Sequence, residues 1–150
     1  MSVTLKPGDK APPFNGISEK GESISLAAFT GKKVVVYFYP KDNTPTCTEE
    51  ACNLRDNYQR LLKAGYTVLG ISTDSVKKHQ NFIKKFNLPF SLISDEDHHI
   101  CDLYGVWDEK KLFGRKYMGI LRTTFVINEK GEIEKIIEKV ESKKHTEQLL

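Results

Sequence analysis

The sequence predicts an α/β fold, a central mixed sheet flanked by helices, with a β-hairpin extension at the N-terminus. Three observations carry that reading. Two continuous apolar runs, KVVVYFY at 33–39 and YTVLGIS at 66–72, have the composition of strands buried on both faces. The segments after them carry apolar residues at helical spacing, so strand and helix alternate as in a parallel sheet with crossover helices. Near the C-terminus the pattern changes to strand, turn and strand, which adds antiparallel strands to the same sheet.

Taken in order, FNGIS and ESISL, separated by Glu19-Lys20-Gly21, form a small hairpin. Pro40 ends the first buried run. Cys47 to Ala64 reads as a helix: Ala51, Leu54, Tyr58, Leu61 and Leu62 recur at helical spacing, Glu49 and Glu50 fall in the first turn, and Gly65 ends it. Ser75 caps a second helix containing Val76, Phe82, Ile83 and Phe86, which stops before Pro89. PFSLISD is a short strand, Asp97 to Tyr104 a short helix, and a loop runs to about Leu112. RTTFVI at 122–127 is a strand, Asn128-Glu129-Lys130-Gly131 a turn, Ile133 to Val140 the returning strand, and Ser142 onward a terminal helix. With right-handed crossovers this order is a thioredoxin-like α/β sandwich, a single domain over residues 1–150.

Composition narrows the function classes. Apolar content of 39% with 29% charged residues fits a globular domain, and no apolar run approaches the length of a membrane span. The net charge of +3 comes with lysine pairs spread along the chain, without the concentrated basic stripe that nucleic-acid binding needs. The N-terminal MSVTLKPGDKAPPF lacks the apolar core of a secretory signal, so the expected location is the cytoplasm. An odd count of three cysteines in a reducing compartment argues against a structural disulfide framework.

Chemistry is expected beyond the carboxyl end of a central strand, and the 40–46 loop delivers Cys47 there at a helix start. Unpaired backbone N–H groups and the helix dipole converge at such a point and favour an anion. Cys47 and Cys52 are open to three readings: buried packing residues, metal ligands completed by His98, His99 and Cys101, or a redox pair. Five residues along a helix means about 7.5 Å of rise and about 140° of rotation. A disulfide needs Cα atoms within roughly 7 Å and Cβ atoms near 4 Å. An intact helix therefore forbids a Cys47–Cys52 bond, and joining them requires the helix start to unwind.

The stretch PKDNTPTC fits the peroxiredoxin pattern P-x-x-x-T-x-x-C, with Pro40, Thr44 and Cys47 in register. YFYPKDNTPTCTEEACNLRD, GISTDSVKKHQNFIKKFNLPFSLISD, the YGVW that follows and GILRTTFVIN resemble, in the same order, blocks of the bacterioferritin comigratory protein (PrxQ) subfamily. The resemblance covers nearly the whole chain. It implies that Cys47 is the peroxidatic cysteine and Cys52 the resolving one, joined in a transient intramolecular disulfide. It also implies that Thr44 and Arg122 bind the peroxide and stabilise the thiolate, and that Pro40 shields the site. Glu50 matches a position often acidic in the family, and Cys101 has no family role. Thr46 departs from the pattern, since glycine commonly precedes the peroxidatic cysteine in this subfamily. The activity implied is reduction of hydrogen peroxide and alkyl hydroperoxides in antioxidant defence, recycled by thioredoxin or a similar dithiol. The resemblance implies no cofactor or metal and a monomer, with dimers known.

Elementary chemistry limits what each residue can contribute. Only the thiolate attacks an O–O bond, and a free cysteine titrates near 8.5, so a few per cent is ionised at pH 7. A helix N-terminus contributes about 0.3–1 kcal/mol, too little alone, whereas a nearby arginine supplies roughly one to three units. Full ionisation multiplies the thiolate only about 30-fold, so holding the peroxide in line and stabilising the departing oxygen must supply the rest. The Thr44 hydroxyl, the Cys47 N–H and the Arg122 guanidinium are the candidate donors. A turn hydroxyl, a surface ion-pair partner and a core-facing helix residue are the plain structural roles open to Thr44, Arg122 and Cys52. Two other functions compete: a non-catalytic redox sensor or chaperone-like binder, and a structural zinc module.

Overall fold

The computed structural model describes residues 4–150, so the first three residues of the expected 1–150 domain and of its N-terminal segment lie outside the described residues. The N-terminal hairpin forms as β1 (Asn15–Ser18) and β2 (Ser23–Ser25), followed by a short 3-10 turn. The two apolar runs are β3 (Lys33–Phe38) and β4 (Tyr66–Ser72), which pair in parallel. Between them lie α1 (Pro45–Asp56) and α2 (Tyr58–Lys63). Next come α3 (Val76–Phe86), β5 (Ser91–Ser94) and α4 (His99–Leu103). The chain continues with β6 (Trp107–Leu112), β7 (Arg115–Ile120), β8 (Thr123–Ile127), β9 (Ile133–Ile137) and α5 (His145–Leu149). The seven-stranded sheet has the order β2-β1-β5-β4-β3-β8-β9, with β3–β4 and β4–β5 parallel and the other pairs antiparallel.

This is the mixed sheet flanked by helices that the sequence predicts. Alternation along β3 divides the core in two. Val34, Val36 and Phe38 face one layer with Leu69, Cys101, Tyr104 and Phe125, while Val35, Tyr37 and Tyr39 face the other with Cys47, Ala51, Leu54 and Phe82. Both faces of β3 are sealed, which is why its sequence is apolar without alternation. Among the described residues no helix is long and apolar enough to cross a membrane.

Several boundaries differ from the sequence reading for local physical reasons. The helix expected from Cys47 to Ala64 starts earlier, at Pro45, and breaks at Asn57, where the Asn57 side-chain amide donates to the Asn53 carbonyl (2.8 Å). Glu49 and Glu50 therefore sit beyond the first turn. The loop expected up to Leu112 is instead strand β6, paired with β7 across a tight turn. The turn residues Phe113 and Gly114 both have positive φ (51° and 78°), as a two-residue type I′ hairpin requires. Phenylalanine is an unusual occupant there, and the flanking strands are largely exposed, so neither turn chemistry nor alternation announces the hairpin. Helix α3 behaves as read: Ser75 Oγ accepts from the Lys78 N–H (3.2 Å), and Asn87 closes it with φ 51°.

Candidate active site

Strand β3 ends at the centre of the sheet and hands the chain to a loop that turns at Asn43, whose φ is 60°. Thr44 then takes the extended N-cap conformation and Pro45 occupies the first helical position, where its missing N–H costs nothing. The first helical hydrogen bond runs from the Thr48 N–H to the Thr44 carbonyl (2.8 Å). The N–H groups of Thr46 and Cys47 precede it and have no intrahelical acceptor. The predicted convergence of backbone donors on Cys47 is thus present. Thr46 is absent from the residues with positive φ, so the helical backbone there places no demand for glycine.

Arg122, immediately before β8, reaches across to this helix start. Its Nη2 donates to Cys47 Sγ at 3.2 Å, and its Nη1 donates to Glu50 Oε1 at 2.8 Å. Burial lowers the guanidinium's pKa, but Cys47 and Glu50 outweigh that and raise it. Cys47 is 1% exposed, Glu50 0%, and the Arg122 side chain 20%, so Arg122 is the most exposed of the trio. Burial pushes the Glu50 carboxyl up to about 7 against the pull of Arg122. Its second oxygen has no hydrogen-bond partner, and the nearest cationic candidate is His145 Nε2, at 3.4 Å. That nitrogen instead meets Thr124 Oγ1 at 2.8 Å, and burial lowers the His145 pKa, so the imidazole is a poor counter-ion.

One consequence is a stability that depends on pH. Glu50 holds its proton more tightly in the fold than in the unfolded chain. Its contribution is fully present below the carboxyl's ordinary 4.5 and is lost as pH rises through about 7. Glu50→Gln keeps an acceptor for Arg122 but cannot ionise. The variant is expected to lose less stability than the wild type between pH 4.5 and 8, by roughly 1–3 kcal/mol, measured as urea midpoints across that range.

The remaining predicted residues are distributed unevenly. Thr44 is half-buried, and its hydroxyl donates to the Lys41 carbonyl (2.8 Å), leaving the oxygen's lone pairs as acceptors. Pro40 is half-buried at the exit of β3. Cys52 lies on α1, partly buried and free. Cys101 is fully buried in the opposite core layer, where burial and then Asp95 push its thiol far up. His98 pairs with Asp102 and His99 with Asp97 and Asp95. The five residues of the zinc reading are therefore not brought together.

Sequence reasoning missed the network that fixes the loop. The Asp42 carboxylate receives the Tyr39 hydroxyl (2.5 Å) and contacts His79 Nδ1 (2.6 Å), while its N–H donates to Asp74 (2.8 Å). Ser72 Oγ also donates to Asp74 (2.7 Å), and His79 Nε2 meets the Ile93 carbonyl (3.0 Å). Both nitrogens of the fully buried His79 thus face acceptors, and Tyr39 after β3, Asp74 after β4 and His79 of α3 converge on Asp42. The available signal was a run of polar residues, STDS, at the carboxyl end of a buried strand.

Comparison with known proteins gives the family. The AhpC/TSA family matches residues 7–136. Peroxiredoxin Bcp of Escherichia coli K12 is 47% identical over 146 residues, covering 97% of this chain and 94% of its own. A Cys-to-Ser mutant of Xylella fastidiosa PrxQ superposes with a TM-score of 0.92 at 30% identity, covering 99% of this chain and 94% of that one. The Xanthomonas campestris bacterioferritin comigratory protein, whose structures concern alkyl peroxide reduction, gives 0.85 at 33% identity over 99% of this chain and 94% of that one. A cysteine at the helix start with an arginine on its sulfur, on a thioredoxin-like sheet, and relatives of this likeness lead to one assignment: the chain belongs to the AhpC/TSA family, as a peroxiredoxin of the bacterioferritin comigratory protein (PrxQ) type.

Proposed function

We propose that this peroxiredoxin reduces hydrogen peroxide and alkyl hydroperoxides through a Cys47 sulfenic acid, which Cys52 resolves and thioredoxin recycles. The observation that carries the reading is the 3.2 Å contact from Arg122 Nη2 to Cys47 Sγ at the open end of α1. A guanidinium on the sulfur favours its anionic form and leaves a donor beside the space where a peroxide oxygen would take up charge. The thiolate attacks the distal oxygen of ROOH, the O–O bond breaks, and RO⁻ leaves to be protonated, giving Cys47–SOH and ROH. Thr44, its own proton engaged with Lys41, accepts from the peroxide O–H and orients it. Pro40 covers the flank of the loop. In this reading the peroxide approaches the buried sulfur along the partly exposed Arg122 side chain.

Resolution then needs α1 to open between Cys47 and Cys52, since both lie in the one helix. Water leaves as the Cys52 sulfur joins Cys47, and a dithiol such as thioredoxin reduces the bond by exchange. The proposed setting is the cytoplasm, with the protein acting as a monomer and without a cofactor. Opening also disturbs the C-terminus. Asn53 holds α5 by donating to the Lys143 carbonyl and accepting from the Thr146 N–H (both 2.8 Å), and Glu49 accepts from Ser142 (2.8 Å).

The test is NADPH-coupled peroxide consumption with thioredoxin and thioredoxin reductase. Many equivalents consumed per chain supports the enzyme; a single equivalent supports the sensor reading and overturns this one. Cys52→Ser is expected to consume one equivalent normally and to recycle at least tenfold more slowly. Recycling at the wild-type rate in that variant would remove Cys52 from the cycle and leave Cys101 or a second molecule as the source of the resolving thiol.

A further inference from the structure

We infer that Lys110 of the β6–β7 hairpin is a positioning residue for Arg122, fixing the segment that carries the guanidinium to the Cys47 sulfur. The inference rests on the reading of Cys47 as the reacting thiol. It starts from the hairpin's register. Lys110 lies opposite Tyr117, and Asp108 opposite Gly119, so Lys110 and Gly119 are diagonal neighbours on one face. Gly119 has no side chain to obstruct the lysine stem. A Cβ there would stand 3.1 Å from Lys110 Cδ. The stem crosses that gap, and its Nζ donates to the Ile120 carbonyl at 2.9 Å.

Ile120 is the last residue of β7, two before Arg122. The linker Leu121–Arg122 is fixed on its other side by the Leu121 N–H bond to the Val106 carbonyl (2.7 Å) and by Thr123 Oγ1, which donates back to the Leu121 carbonyl (2.9 Å). Lys110 therefore ties the hairpin to the segment that aims the guanidinium. Half-buried Lys110 has its pKa lowered by burial first and by Arg122 second, while the Cys47 sulfur raises it, in keeping with a place on the flank of the site.

The test reads Cys47 alkylation by iodoacetamide against pH, together with the rate of the first peroxide reaction, in wild type, Lys110→Met, Lys110→Arg and Lys111→Met. The inference expects Lys110→Met to loosen Arg122 from the sulfur, moving the alkylation profile to higher pH and slowing the peroxide step by roughly three- to tenfold. Lys110→Arg, which keeps a donor for the Ile120 carbonyl, should recover most of both, and exposed Lys111→Met should match the wild type. An unchanged profile in Lys110→Met would overturn it, whatever the rate, since the guanidinium would then keep its place without the lysine. A wild type that consumes no peroxide would sink the reading of Cys47 itself, whereas the alkylation profiles judge Lys110 independently.

Discussion

Cys47→Ser is expected to abolish peroxide turnover while leaving the fold intact. The side chain is buried among Val35, Tyr37, Tyr39, Ala51 and Leu54, and serine is smaller than cysteine, so packing changes little. The chemistry disappears because a hydroxyl beside Arg122 stays protonated at neutral pH and is a poor nucleophile towards an O–O bond. The expected signal is no NADPH consumption above background in the coupled assay and no sulfenic acid by mass spectrometry. Residual turnover above about one per cent of wild type would place the reacting sulfur elsewhere. A small loss of stability is also expected, since the polar hydroxyl lies in an apolar layer with one donor to satisfy it.

Arg122→Ala carries the second-largest effect, and its fall should be partial rather than complete. The guanidinium makes two contacts, to Cys47 Sγ at 3.2 Å and to Glu50 Oε1 at 2.8 Å. Removing it takes away the charge that favours the thiolate and the donor aimed at the departing oxygen. Loss of one such donor costs roughly 10²–10³-fold in rate. The first peroxide reaction should slow by about that factor, and the pH at which Cys47 becomes half-reactive towards iodoacetamide should rise. The fold should survive, because Glu50 already favours its neutral form by burial and takes a proton once its cation is gone. An unchanged alkylation profile together with an unchanged rate would remove Arg122 from the mechanism. Arg122→Lys should fall between, since one ammonium lacks the fork that serves two acceptors at once.

Glu50 shows why the site's electrostatics exceed what spacing reveals. Position alone put it near a helix start, where an anion is welcome but opposes a thiolate. The structure places it in the second turn, fully buried, with its carboxyl pushed up to about 7. The Glu50 carboxyl and the Cys47 sulfur share one guanidinium, at 2.8 and 3.2 Å. Glu49, its neighbour in sequence, points to Ser142 on the surface and takes no part.

The strands β3, β4, β5, β8 and β9 and the capped helix α3 could be read from apolar runs, turn residues and Ser75, because burial on both faces and helix capping are written in local composition. So was the place of Cys47 beyond a central strand, with Cys52 as its candidate partner; Arg122 was singled out through the family resemblance. The start of α1 was misplaced by two residues although Thr44-Pro45 spelled out an N-cap and first-turn proline. Hairpin β6–β7 stayed hidden because its exposed strands carry no alternation and its turn uses Phe113.

Sequence by itself determined which residue types were present to do the chemistry and the order of the elements that carry them. Only the tertiary structure decided that an arginine 75 residues away lies on the sulfur, that a buried glutamate shares it, and that Tyr39, Asp74 and His79 hold Asp42. The reason is physical. Strand and helix formation respond to neighbours a few residues apart, whereas charge and hydrogen-bond partners depend on which strand lies beside β3. That order is set by packing across the whole sheet.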